Sequence, residues 1–293
     1  MENIIQLFIY GIQLGSVYAL VALGYSMVYG IIRLINFAHG DIIMVASFVV
    51  WYLIARLNVP VWLSILICVA FTSLLGVAIE KLAYKPLRHS ARISLLITAI
   101  GISFFLQNAA QLLWGATPKN FTSLVTFQVP EFLAKFNVSA VSLVTIVACL
   151  VIMAGLMFFT GKTKMGKAMR AVSEDKAAAQ LMGINVNRTI SMTFAIGSAL
   201  AAIAGVLLCS YSPVLQPTTG AMPGIKAFDA AVFGGIGSMP GAFVGGILIG
   251  IIEAMAQAYI STSLANSIVF GVLIIVLLVK PAGLLGKYVP EKV

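Results

Sequence analysis

Four groups of residues interrupt an otherwise apolar chain, and each brings chemistry that its surroundings lack. The first is Asn36-Phe37-Ala38-His39-Gly40-Asp41, preceded by Arg33. Polar side chains at membrane depth are costly unless they pair or line a cavity. Asn36 and His39 supply hydrogen bonds, so one reading is a broken-helix turn beside a transport path. The other is an interfacial loop in which Asp41 caps the next helix. No nucleophile accompanies His39 and Asp41, so they do not form a catalytic pair. The second group is Phe228-Asp229, followed by GGIGSMPGAFVGG at 234–246. An Asp at the start of a half-length run with a Gly/Pro break after it, around Gly234 and Gly235, resembles the discontinuous helices of transporters. It equally suits a hairpin tip that needs small residues. The third is Glu253, near the middle of an apolar run. There it either meets a transported solute or holds a helix bundle together while carrying its proton. Glu80, at the end of another run, reads as interfacial. The fourth is the polar stretch 161–188. Within it, 166–182 reads as one short Ala-rich helix, with Gly183 where a C-cap belongs. Such a helix either docks into a partner protein's groove or lies as a basic connector on anionic headgroups.

The elements that position these groups are membrane helices. The chain has 293 residues, 61% hydrophobic and 9% charged, with a mean hydropathy of +1.06. Soluble domains carry about 25% charged residues, so lipid must be the main solvent. Apolar runs able to span lie near 4–32, 42–57, 61–80, 93–114, 141–160, 189–210, 241–260 and 264–279. A further half-length run, 227–236, ends in Gly234, Gly235, Gly237 and Pro240, which favour a broken helix. The expected fold is all-α: a polytopic transmembrane bundle of about 8–9 spans, broken near 227–240. It forms one transmembrane domain over 1–293 with a polar segment at 161–188. Glycines four apart, Gly11 and Gly15, Gly241 and Gly245, Gly246 and Gly250, let helix backbones approach closely in lipid.

Charge sets the orientation. The net charge of +9 comes from 18 Lys and Arg against 9 Asp and Glu. Thirteen of the basic residues fall in 81–92, 161–188 and the C-terminal tail with Lys280, Lys287 and Lys292. The positive-inside rule places all three in the cytoplasm, so the C-terminus is expected there and the 115–140 loop outside. Parity then requires an even number of crossings between 188 and 280, and the half-run must supply the fourth or dip and reverse. The basic residues form no continuous surface for nucleic acid. The start, Met-Glu-Asn, lacks a basic signal-peptide region, so the first run is expected to remain as a span. Cys68, Cys149 and Cys209 sit in apolar runs without CxxC spacing and read as small buried hydrophobes. No P-loop, metal-ligand cluster or catalytic elbow is present. Neither enzymatic chemistry nor ATP hydrolysis by this chain alone is expected, and no cofactor is expected on it.

Three long stretches carry a resemblance: GSVYALVALGYSMVYGIIRLINFAHGD (15–41), MGKAMRAVSEDKAAAQLMGINVNRTISMTFAIGSALAAIAGVL (165–207) and KAFDAAVFGGIGSMPGAFVGGILIGIIEA (226–254). In this order they resemble the permease subunits of bacterial branched-chain amino acid ABC importers, nearest to the H-type permease of leucine/isoleucine/valine systems. Close relatives serve urea, short-chain amide and other amino-acid importers. A stand-alone secondary transporter or channel is the rival from another class. The resemblance implies a multi-pass protein of the inner membrane, with a second homologous permease, two cytoplasmic ATPases that use ATP, and an extracytoplasmic solute-binding protein. It also implies that 161–188 holds the coupling helix, whose E-A-A-x3-G pattern matches here at Ala178, Ala179 and Gly183. Ala177 stands where the pattern has Glu. Arg170, Glu174 and Asp175 are the nearby charged candidates for ATPase contact. On the path side the candidates are Asn36, His39, Asp41, Asp229, Gly234, Gly235 and Glu253.

Overall fold

The computed structural model describes residues 2–32, 36–88, 90–121, 124–125, 129 and 138–286. Arg33, half of the 115–140 loop and the tail with Lys287 and Lys292 lie outside the described residues. Eleven α-helices carry the described chain. They are α1 (Glu2–Ile32), α2 (His39–Ala55), α3 (Val61–Ile79), α4 (Arg92–Trp114), α5 (Ala140–Lys162), α6 (Lys164–Glu174), α7 (Lys176–Leu181), α8 (Val186–Tyr211), α9 (Ala221–Gly234), α10 (Met239–Tyr259) and α11 (Ala265–Val279). A π-helical turn, Glu80–Tyr84, extends α3. A two-residue ladder, β1 (Lys119–Asn120) with β2 (Val214–Leu215), is antiparallel and is the one departure from an all-helical fold among the described residues. Six helices are long and apolar enough to cross a membrane: α1, α3 with its π turn, α4, α5, α8 and α10; α2 and α11 are shorter apolar helices.

Helix α1 is the central post. It lies against α10, α8, α9 and α5, and Val17 through Leu23 are all buried. The glycine spacings explain its closest neighbour. A Cβ on Gly15 would come within 2.7 Å of the Ile247 Cα, and Gly250 lies against the Gly15 backbone. The expected close packing is therefore realised between α1 and α10. Gly241 and Gly245 instead face Gly234 and Ala230 of α9. Helices α3 and α2 cover α8, while α4 and α11 are outermost. On α4 the side chains of Phe104, Phe105, Leu112 and Leu113 are exposed, as lipid-facing positions require.

Several helix starts follow from local chemistry. Ser139, Thr163, Asn185 and Ser238 each accept a backbone N–H from the residue three positions on, fixing the starts of α5, α6, α8 and α10; each satisfies a donor that the helix cannot. Asp175 overturns the expectation of one helix over 166–182. It adopts an extended conformation and accepts the N–H groups of Ala177 and Ala178, at 2.8 and 3.0 Å. Asp competes with the helix by this very bond, so the segment splits into α6 and α7. Gly183 follows α7 with φ +79°, as a C-cap position favours. Asp229, expected at the start of a half-helix, lies well inside α9, because that helix begins earlier, at Ala221.

Candidate functional site

The starts of α2 and α9 meet inside the bundle. A Cβ on Gly40 would lie 2.7 Å from the Gly220 carbonyl oxygen and 3.1 Å from the Gly224 Cα, so only glycine allows this approach. Neither helix has a side-chain cap, and both cap residues, Ala38 and Gly220, are buried. The positive ends of two helix dipoles thus converge away from bulk water. Asp41 sits in the first turn of α2 but does not cap it; its Oδ1 accepts from Gln107 Nε2 of α4 at 2.9 Å.

A cleft of about 210 Å³ opens between these helix starts and α4, with Tyr25, Phe37, Asp41, Ser103, Gln107 and Ile225 among its lining. Aromatic rings shape its inner wall. Tyr25 meets the His39 ring edge-on at 4.7 Å, and Phe228 of α9 lies 6.0 Å from Tyr25 and 5.9 Å from Phe37. Its apolar wall is open: the lining residues Ile100 and Ile225 are exposed at 40% and 41%. Ser103 and Gln107 escaped the sequence reading, although two polar residues four apart on an apolar helix necessarily share one face.

The polar residues around the cleft are short of partners. Tyr84 donates its hydroxyl to Asn36 Oδ1 at 2.8 Å. Asn36 Nδ2, His39 Nε2 and Asp229 Oδ2 are buried with no hydrogen-bond partner among the described residues. Each orphan costs about 1–3 kcal/mol, an expense that a folded chain tolerates mainly where function needs it.

Glu253 belongs to a different arrangement. It pairs with Lys226 of α9, Nζ to Oε1 at 2.6 Å. Tyr18 donates to its Oε2 at 2.9 Å and Gln257 to its Oε1 at 3.0 Å. Lys226 also lies over the Tyr18 ring, 5.8 Å from its centre. The nest ties α1, α9 and α10 together and lies apart from the cleft lining. Lys226 was not singled out from the sequence; a lone Lys just ahead of Asp229 in an apolar run was the available signal. Gly234 and Gly235 also lie away from the cleft, in the turn into α10, where they pack on Gly241 and on Gly286 with Ala282. Glu80 corrects the interfacial expectation. It is fully buried, paired with Arg88, and accepts from Ser191 at 2.6 Å.

The 161–188 segment has a held half and a free half. In α6, Gly166, Met169 and Val172 are buried against the bundle, and Arg170 donates to the Gly161 carbonyl at 3.1 Å. In α7, Ala179 is buried while Ala178 is exposed. Leu181 and Met182 project at 89% and 82% exposure, a pair the sequence reading passed over. Glu174 is exposed. Among the described residues no cluster of three or more His, Cys, Asp or Glu can hold a metal ion, and the three cysteines are free and buried.

Residues 7–278 match the family described as branched-chain amino acid transport system / permease component. The chain is 44% identical to the high-affinity branched-chain amino acid transport system permease protein LivH of Escherichia coli K12, over 97% of this chain and 96% of that protein. It is 41% identical to the permease protein BraD of Pseudomonas aeruginosa, over 99% and 98%. A probable LivH of Methanocaldococcus jannaschii is 29% identical over 91% and 88%. No solved structure matches the chain. A single family match spanning nearly every helix, and relatives aligned end to end, mean that this chain belongs to the permease component family of branched-chain amino acid transport systems.

Proposed function

We propose that this chain is the membrane-spanning permease subunit of an ATP-driven importer for leucine, isoleucine and valine, using the Asp41 cleft as its half of the translocation path. The observation that carries the reading is the cleft itself, partly open and lined by few polar groups. An amino acid offers an ammonium group, a carboxylate and an apolar side chain. Asp41 suits the ammonium, the convergent starts of α2 and α9 suit the carboxylate, and Phe37, Ile100 and Ile225 suit a branched side chain. Asn36, His39 and Asp229 stand behind this surface with unused polar atoms. A partly open cleft asks for a second, homologous permease to close it.

The chain crosses the inner membrane about eight or nine times, with its C-terminus in the cytoplasm. Helix α9 supplies the crossing that parity requires. It runs antiparallel to α10, so that Gly234 meets Gly241 while Ala230 meets Gly245. The whole chain forms one permease domain with its coupling segment at 161–188. Two cytoplasmic ATPases use the ATP, this chain carries no cofactor and no catalytic activity, and an extracytoplasmic binding protein delivers the solute. Helix α7 with the exposed Ala178, Leu181, Met182 and Gly183 docks on an ATPase, while α6 transmits the motion to the bundle. ATP supplies energy by binding the two states unequally.

The test is uptake of labelled leucine into proteoliposomes holding this chain, its neighbouring permease, the ATPases and the binding protein. ATP-dependent uptake that disappears without the ATPases is expected. ATPase stimulation by a binding protein loaded with another solute would overturn the substrate, and gradient-driven uptake by this chain alone would overturn the machine.

A further inference from the structure

A second hollow, of about 370 Å³, lies on the side that the basic segments assign to the cytoplasm. It is bounded by the ends of α1 and α5, by α6, and by the turn from α9 into α10. Two observations mark it as built for a ligand. Ser26 lines the hollow at 1% exposure, and its hydroxyl has no hydrogen-bond partner among the described residues. A helical serine ordinarily bonds the carbonyl four residues back, as Ser16 and Ser47 do; Ser26 does not. Arg170 also lines the hollow. Its bond to the Gly161 carbonyl uses one of five N–H donors. Met27, Met157, Met169 and Met239 supply the apolar wall, soft side chains that adapt to a tail of variable shape. Among the described residues no Asp or Glu lines the hollow, so none there would balance an ammonium group.

We infer that this hollow binds a small apolar monocarboxylate, its anion held by Arg170 and the Ser26 hydroxyl and its tail among the methionines. Bidentate pairing suits a guanidinium facing a carboxylate, and the buried hydroxyl gains the partner it lacks. Such a ligand bridges α6 to α1 and to the start of α10. If α6 moves during transport, as the coupling reading holds, occupancy favours the arrangement described here and slows import. That consequence rests on the proposed function; the binding itself does not.

The experiment is calorimetric titration of 4-methylpentanoate into the full chain within its complex, in nanodiscs of zwitterionic lipid. Saturable binding is expected. It should weaken about tenfold in Ser26→Ala, the loss expected for one hydrogen bond to a charged group. It should vanish in Met157→Trp, which fills the hollow. The amine of the same skeleton, 4-methylpentylamine, should not bind. Ser26→Ala should melt no lower than the wild type, since its hydroxyl has no bond to lose and its removal relieves a buried unpaired group. Equal binding to both variants, binding of the amine, or no binding at millimolar carboxylate would overturn the inference. A repeat in nanodiscs containing phosphatidylglycerol separates the other source of an anion. Thermal stabilisation by that lipid in the wild type but not in Arg170→Gln, with no response to 4-methylpentanoate, would assign the site to lipid and overturn the soluble ligand. Loss of ATP-driven uptake in the complex, with carboxylate binding intact, would count against the transport reading alone.

Discussion

Two of the polar nests within the helical bundle are built on opposite plans. Around Glu253 no buried polar atom is left without a partner among the described residues: Lys226, Tyr18 and Gln257 converge on one carboxylate. Around Asp41, less than saturation is the rule, with Asn36, His39 and Asp229 each leaving a buried atom unpaired. The first nest joins three helices and presents no open lining. The second borders a partly open cleft. A saturated nest in low dielectric is rigid and strong, whereas a partly satisfied one is costly and receptive. The difference teaches that an ionisable residue in a membrane helix is not by itself a transport residue. What separates the two roles is whether polar capacity is left over.

The largest expected effect breaks the saturated nest. Lys226→Met leaves Glu253 buried and unpaired, which should destabilise the fold by about 3–5 kcal/mol. Thermal melting in detergent should show this as loss of the cooperative transition or a large downward shift. The double variant Lys226→Met/Glu253→Leu should recover most of the stability, because replacing both partners by apolar side chains removes the desolvation penalty. A double variant as unstable as the single one would show that the pair contributes more than it costs. Tyr18→Phe is the milder cut. It removes one hydrogen bond to a charged group, worth about 1.5–3 kcal/mol, and should lower the melting temperature while uptake per folded complex stays unchanged.

The other nest should respond in the reverse sense. Asp41→Asn keeps the shape and a hydrogen bond with Gln107, so melting should barely move. It removes the charge proposed to meet the substrate ammonium. Uptake at subsaturating leucine should fall about tenfold, close to 1.4 kcal/mol. Stability lost with uptake intact would move Asp41 into the same class as Glu253 and dissolve the comparison.

Much of this was legible in the sequence, though unevenly. Hydropathy located every long helix, because an apolar run of about 20 residues has few other uses. The glycine spacings foretold close packing, and the structure shows that those of α1 and α10 meet each other. Local competition was harder to read: Asp175 looked like one polar position in a helix, yet its side chain captures two backbone N–H groups and splits that helix. Pairing across the bundle was least legible. Lys226 and Glu253 are 27 residues apart and Tyr18 is 235 from Glu253, so no local pattern joins them. The same holds for Asp41 with Gln107, 66 residues apart. Sequence marked Asp41 and Glu253 as costly but missed Lys226 and misplaced Glu80, and only the fold shows which of them had been neutralised.

The smallest expected effect tests the apolar side of the open nest. Ile225 lines the cleft at 41% exposure, so only part of its surface is available to a bound side chain. Deleting one methylene contact in a closed pocket changes discrimination by about 1–3 kcal/mol, and a half-open wall should give less. Ile225→Ala should therefore shift the leucine-to-alanine uptake ratio by only about threefold, roughly 0.6 kcal/mol, when a binding protein that accepts both is used. Melting should hardly change, since the side chain is not part of the buried core. A shift of a hundredfold would mean that the partner permease closes the cleft around the side chain and that this chain selects its solute. No shift, with Asp41→Asn still impaired, would place the ammonium in the cleft and the branched side chain against the partner.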